Sequence, residues 1–161
     1  MNPPDSSRAC THSEIERLIP HQGSMCLLAR ADSWDDVSIV CSASNHRDPD
    51  HPLRTRGALL SACLIEYAAQ ACAVHGALLA RAGGCAASAR PGVLAAARNV
   101  QLTRTTLDTL PRTAPDELRI EARREAGDGR QLLYAFTASH CGEALASGRI
   151  TVLLDTADSN S

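Results

Sequence analysis

From Gly57 to Ala80 the chain carries one charged side chain, Glu66, in the run GALLSACLIEYAAQACAVHGALLA. Leu60, Leu64, Tyr67, Ala71, Val74 and Leu78 recur at three- and four-residue steps, the repeat of a helix. The positions between them are also mostly small or apolar, and a helix that is apolar all round has to be buried on every side. A bilayer accepts helices of about 20 apolar residues. Here, however, Glu66, Gln70 and His75 interrupt the run, and a carboxylate at a bilayer centre costs roughly 2.5–3.5 kcal/mol. The segment therefore reads as the central helix of a protein outside the membrane, ended by Gly83-Gly84.

Such a helix needs a wrapping, and the flanking sequence supplies strands. Ahead of it, Ser13 followed by Glu16 reads as a capping box for a short helix through Ile15, Leu18 and Ile19, which Pro20 stops. Met25 to Arg30 reads as a strand, Asp32 to Asp36 as a turn, and Val37 to Ala43 as a second strand. Asn45 to Arg56 holds Asp48, Pro49 and Pro52 and reads as an irregular loop. After a flexible Ala/Ser/Arg/Pro stretch come strands over Val93–Thr106, Glu117–Ala126, Gln131–His140 and Ala144–Leu154. Gly127-Asp128-Gly129 gives the hairpin signal between the second and third of these. Leu118, Ile120 and Ala122 alternate with Arg119, Glu121 and Arg123, as in a half-buried strand. One helix and an antiparallel sheet that wraps it make an α+β domain, expected over residues 13–155 between disordered tails at 1–12 and 156–161.

Composition narrows the function classes. Only 2% of residues are aromatic, and much of the 44% hydrophobic content is alanine, which buries little area per residue. A second subunit is expected to supply the missing burial. A net charge of -2 argues against a general nucleic-acid binder, which needs a strongly basic face. Seven scattered cysteines with no CxxC pair, behind an N-terminus that lacks the order of a secretory signal, read as reduced thiols in the cytoplasm. No cluster of metal ligands at short spacing is visible, so no metal is expected.

Two stretches carry a resemblance. Ile15 to Arg30, IERLIPHQGSMCLLAR, is similar to the opening of the 3-hydroxyacyl-[acyl-carrier-protein] dehydratases. His51 to Gln70, HPLRTRGALLSACLIEYAAQ, resembles their signature of a His-loop followed by a helix carrying Glu and then Ala-Gln. The run IEYAAQACAVHGALLA looks closest to the divergent branch of aryl-polyene and xanthomonadin-type pathways. The resemblance implies the hot-dog fold, a substrate delivered on acyl carrier protein, no cofactor, and a homodimer or heterodimer of hot-dog subunits. It implies an active site at the subunit interface, its His and Glu coming from different subunits. The chain departs from the family in His51-Pro52-Leu53, where a His-Phe sequence is usual. It departs again in Leu60-Ser61, where Pro-Gly is usual, and in a His-to-Glu spacing one residue longer.

The implied reaction removes a proton from C2 of a 3-hydroxyacyl thioester and expels hydroxide from C3. His51 suits the base, since histidine titrates near neutrality. His46, in the same loop, is its rival. Glu66 suits the acid, because an apolar pocket keeps a carboxyl group protonated. The thioester carbonyl needs backbone N–H donors, expected from the helix start at Gly57, Ser61 and Ala62, with Gln70 within the site. Arg54 and Arg56 are expected to receive the carrier protein, and Arg98 and Arg104 are further cations that could do so. Two other readings share the fold: a non-catalytic subunit that props up an active dehydratase, and an acyl thioesterase.

Overall fold

A computed structural model describes residues 8–83 and 92–154. The expected C-terminal tail, the stretch after the long helix and the first seven residues lie outside the described residues. Within them, strands β1 (Cys10–Thr11), β2 (Arg30–Trp34), β3 (Ser38–Ala43), β4 (Gly92–Leu102), β5 (Leu118–Gly127), β6 (Gln131–His140) and β7 (Glu143–Leu154) form one antiparallel sheet. Its order is β1-β2-β3-β5-β6-β7-β4. Beside the sheet stand helices α1 (His12–Leu18) and α2 (Leu64–Ala82), a 3-10 turn at Gly23–Met25, and another at Ser61–Cys63 that leads into α2.

The apolar run is α2, and it lies against β3, β4, β5, β6 and β7. Leu64, Tyr67, Ala71, Val74 and Leu78 pack into a core with Ile39, Leu118, Ile120, Tyr134, Phe136, Leu145 and Ile150. The helix is long and apolar enough to cross a bilayer, yet most of it is buried inside this sheet. Gly83 closes it, its N–H donating to the Leu79 carbonyl at 3.0 Å. The expected alternation on β5 holds, with Leu118, Ile120 and Ala122 buried and Arg119, Glu121 and Arg123 exposed.

Among the described residues, two surfaces are incompletely covered. Ala62 is exposed, and Glu66, Ala69, Ala73 and Gly76 are half-buried; these positions follow one another at three- and four-residue steps and so share one face of α2. Strand β4 ends the sheet and pairs only with β7. It carries exposed Leu94 and Leu102 beside Leu153 of β7, which is 47% exposed.

The structure corrects four local expectations. Ordered structure starts before residue 13, since Cys10–Thr11 pairs with Arg30–Ala31 and α1 begins at His12. The capping box is Thr11 with Glu14, not Ser13 with Glu16. The sequence THSEIE holds both patterns two residues apart, and the chosen one buries Ile15 and Leu18 together. Met25–Ala29 is not a strand, because the Gln70 side chain takes its backbone groups: Leu27 N–H donates to Gln70 Oε1 at 2.9 Å, and Gln70 Nε2 donates to the Met25 carbonyl at 2.8 Å. Strand β2 therefore starts at Arg30 and runs through what was read as a turn. The true turn is made by the Asp35 carboxylate, which accepts from the Val37 and Ser38 N–H groups.

Candidate active site

The loop between β3 and α2 carries the histidines. It is built from successive turns: His51 N–H donates to the Asp48 carbonyl at 3.2 Å, and Arg54 N–H to the His51 carbonyl at 3.1 Å. Thr55 and Ala58 then exchange both backbone bonds around Arg56 (φ 51°) and Gly57 (φ 79°). Two consecutive positive φ angles are the signature of a type I′ turn. Gly57 is thus demanded by the turn's handedness. A Cβ there would meet nothing within 4 Å of the protein.

His51 is buried, and its hydrogen bonds define its tautomer. Leu53 N–H donates to Nδ1 at 3.1 Å, so the proton sits on Nε2 and is donated to the Tyr67 hydroxyl at 2.8 Å. That hydroxyl passes its own proton toward Asn45 Oδ1 at 2.6 Å. Burial lowers the pKa of His51, aided by Arg54 and opposed by Asp48, so the ring is neutral at pH 7. It lines a cavity of about 340 Å³ with Ser24, Leu27, Leu28, Asn45 and Pro52, within the usual range for small-molecule sites. Cys26 shares that wall, but burial pushes its thiol up to about 11, which removes it as a nucleophile at neutral pH.

Glu66 and Tyr67 are neighbours on α2, roughly 100° apart around the axis, and they serve different faces. Tyr67 points inward to His51. Glu66 stays 31% exposed, with its Oε1 3.2 Å from His21 Nε2 and 3.3 Å from Gln70 Nε2. The apolar pocket expected around Glu66 is therefore absent within one chain, and the imidazole beside it is His21, not His51. His21 reaches Glu66 from the segment that follows Pro20.

The remaining expected site residues divide. Gln70 is fully buried and its two N–H donors go to the Met25 carbonyl and to Glu66 Oε1, while its oxygen accepts from Leu27 N–H. Ser61 N–H donates to the Thr105 carbonyl at 2.9 Å, while its buried hydroxyl has no partner. Ala62 is exposed at the helix entrance, on the uncovered face. Arg54, expected to receive a carrier, instead ties the loop together: it pairs with Asp108 at 2.7 Å and donates to the Asp48 and His46 carbonyls. Arg56 is exposed, as is Arg98 on β4, whereas Arg104 lies 3.4 Å from Glu143. His46 is buried away from the cavity, beside Asp116 and His140.

Comparison with known proteins decides the family. The sequence matches the ApeP-like family, described as ApeP dehydratase, over residues 13–160. The chain belongs to that family. The resemblance to hot-dog dehydratases of the aryl-polyene branch is borne out, and so is the α+β hot-dog fold. Among solved structures, the dehydratase heterocomplex ApeI:P from Xenorhabdus doucetiae superimposes with a TM-score of 0.77 at 23% identity, covering 89% of this chain and 91% of that one. An HP0420 homologue from Helicobacter felis gives 0.55 at 11% identity, covering 86% and 85%. A hypothetical thioesterase with coenzyme A from Streptococcus pneumoniae gives 0.51 at 13%, covering 78% and 84%. No curated protein sequence matches significantly.

Proposed function

We propose that this ApeP-like dehydratase converts a 3-hydroxyacyl thioester, carried on acyl carrier protein in the cytoplasm, to the trans-2-enoyl thioester, and does so paired with a second hot-dog subunit. The observation that carries the reading is His51: a histidine held neutral by burial on the wall of a cavity of substrate size. Its basic atom is Nδ1, whose lone pair is held by one backbone N–H at 3.1 Å. Once Leu53 N–H lets go of Nδ1, the C2 proton passes to its freed lone pair and the negative charge moves onto the thioester oxygen, where N–H groups at the entrance of α2, Ala62 among them, can stabilise it. Collapse of the enolate expels the C3 hydroxyl, which takes a proton from a carboxylic acid and leaves as water. No electrons are gained or lost, so the reaction calls for no redox cofactor.

The acid facing His51 comes from the opposite subunit, and Glu66 is the acid that this chain presents across the interface in return. Three features support that assignment: Glu66 stands on the uncovered face of α2, its near neighbours there are Ala62, Ala69, Ala73 and Gly76, and the sheet ends in an open β4. Small residues let a second helix approach closely, and burial beneath it would supply the apolar surroundings that Glu66 lacks alone. The similar Xenorhabdus structure is a heterocomplex of two subunits, which favours a non-identical partner.

One observation favours a second reading, in which this subunit supports the chemistry of its partner without performing it. Both ring nitrogens of His51 are engaged, with Leu53 and Tyr67. The deciding assay uses the chain alone and with its co-purifying hot-dog subunit, on 3-hydroxyacyl-carrier substrates, following water loss and thiol release together. The first reading expects His51→Ala and Glu66→Gln in this chain each to remove one of the two interface sites, and the double variant to abolish dehydration by the pair. Full activity in both variants would remove this chain from catalysis and leave the supporting role.

A further inference from the structure

The loop that carries His51 is fastened to the sheet by a group of side chains that the dehydration chemistry does not use. His46 of the loop, Asp116 just ahead of β5 and His140 at the end of β6 each present one ligand-type atom, and these atoms lie within 4.8 Å of one another. His46 and His140 are 1% and 2% exposed. Asp116 Oδ1 is 2.8 Å from His140 Nε2 and 3.4 Å from His46 Nε2. The His46 contact lacks hydrogen-bond alignment, and neither of its ring nitrogens has a partner. Buried polar groups are nearly always bonded, so an imidazole in this position is unexplained by the protein alone.

We propose that His46, Asp116 and His140 form a binding site for a divalent first-row metal ion, zinc in the first instance, that clips the His51 loop to the sheet. Two imidazoles and one carboxylate are a borderline donor set that suits zinc over magnesium or calcium. With metal–ligand distances of about 2.0–2.2 Å, tetrahedral ligand atoms stand about 3.3 Å apart and octahedral neighbours about 2.9 Å. The 3.4 Å contact between His46 and Asp116 fits the tetrahedral separation, and His140 would draw back from its 2.8 Å hydrogen bond to Asp116 to complete it. Arg47 bonds the other carboxylate oxygen, Oδ2, and also the Leu110 and Pro111 carbonyls. It thereby turns Oδ1 toward the imidazoles, as an outer partner does for a ligating carboxylate. The Thr113 hydroxyl lies 3.4 Å from His140 Nε2 and donates to the Pro115 carbonyl at 2.9 Å. On binding, the proton now shared between His140 and Asp116 leaves Nε2. The ion would act on the site by position: Asn45, one residue before His46, holds the Tyr67 hydroxyl that holds His51.

The test uses the full chain, with its hot-dog subunit where the two purify together, stripped by a chelator and titrated with Zn²⁺ and Co²⁺. One equivalent should bind per chain and raise the melting temperature, and the Co²⁺ form should show visible d–d bands without a thiolate charge-transfer band. His46→Gln and His140→Gln should each weaken binding by at least about 100-fold, and Arg47→Met by about 10–100-fold. No binding by the intact chain, binding that survives both histidine substitutions, or a thiolate spectrum that moves the ion to the cysteines would each overturn the proposal. If the variants do not fold, the spectrum and the stabilisation of the intact chain decide it.

Discussion

Tyr67 and Tyr134 are both fully buried, and each bonds a buried histidine through its hydroxyl. Removing that hydroxyl should nevertheless cost different amounts. Tyr67 accepts from His51 Nε2–H and donates to Asn45 Oδ1, so Tyr67→Phe strands one buried donor and one acceptor. Each stranded group costs about 1–3 kcal/mol, and with partial relaxation the sum should be about 2–4 kcal/mol. In the other pair His75 Nε2–H donates to the Asp35 carbonyl at 2.7 Å, which leaves Nδ1 to accept from Tyr134. Tyr134→Phe thus strands a single acceptor and should cost about 1 kcal/mol. Both changes keep the ring and its packing, so the comparison isolates the hydroxyl. The assay is urea unfolding at one fixed protein concentration, so that association with a second subunit would weigh equally on every variant. Combining Tyr67→Phe with Asn45→Ala should cost less than the sum of the two, since they break the same bond. A Tyr67→Phe variant within about 0.5 kcal/mol of wild type, or no worse than Tyr134→Phe, would refute the proton chain that sets the tautomer of His51.

Four further outcomes follow from the same geometry. Arg54→Ala should destabilise the chain by about 2–3 kcal/mol, while Arg56→Ala changes unfolding by less than about 0.5 kcal/mol; equal small effects would return Arg54 to a carrier-binding role. Stability should fall on acidification, because burial holds His51 and His75 below the ordinary histidine range. The unfolded chain binds protons near pH ~6.5 while the folded chain does not, so the contribution is complete above that pH and is lost as pH drops through the depressed values. A pH series of urea midpoints checks this, and His75→Gln should flatten the slope. Leu94→Lys or Leu102→Lys on β4 should abolish co-purification with a second hot-dog subunit while leaving the chain folded; unchanged recovery of the pair would place the interface elsewhere.

The parts of the molecule legible in the sequence are those set by local pattern. Helix α2 announces itself by its unbroken apolar run, and β5 by strict alternation. The β5–β6 hairpin is marked by Asp128, whose carboxylate accepts from the Arg130 and Gln131 N–H groups as a turn aspartate should. What the sequence hides depends on partners distant along the chain. Met25–Ala29 has the composition of a strand, but one buried glutamine forty-three residues on takes the bonds that would have paired it. Arg54 and Arg47 look like free cations until Asp108 and Asp116 arrive beside them. His46, Asp116 and His140 are scattered over three segments, so spacing, the usual guide to ligands, is silent about them. Glu66 was recognised by its isolation among apolar residues. Its neighbour His21, and the uncovered face it stands on, follow only from how α1 and the sheet settle around α2.

A sheet that stops at the eleven residues of β4, with greasy side chains along that rim, is safe only while something lies against it. In the proposed pairing, a copy made ahead of its companion would wait with a ready template for mispairing.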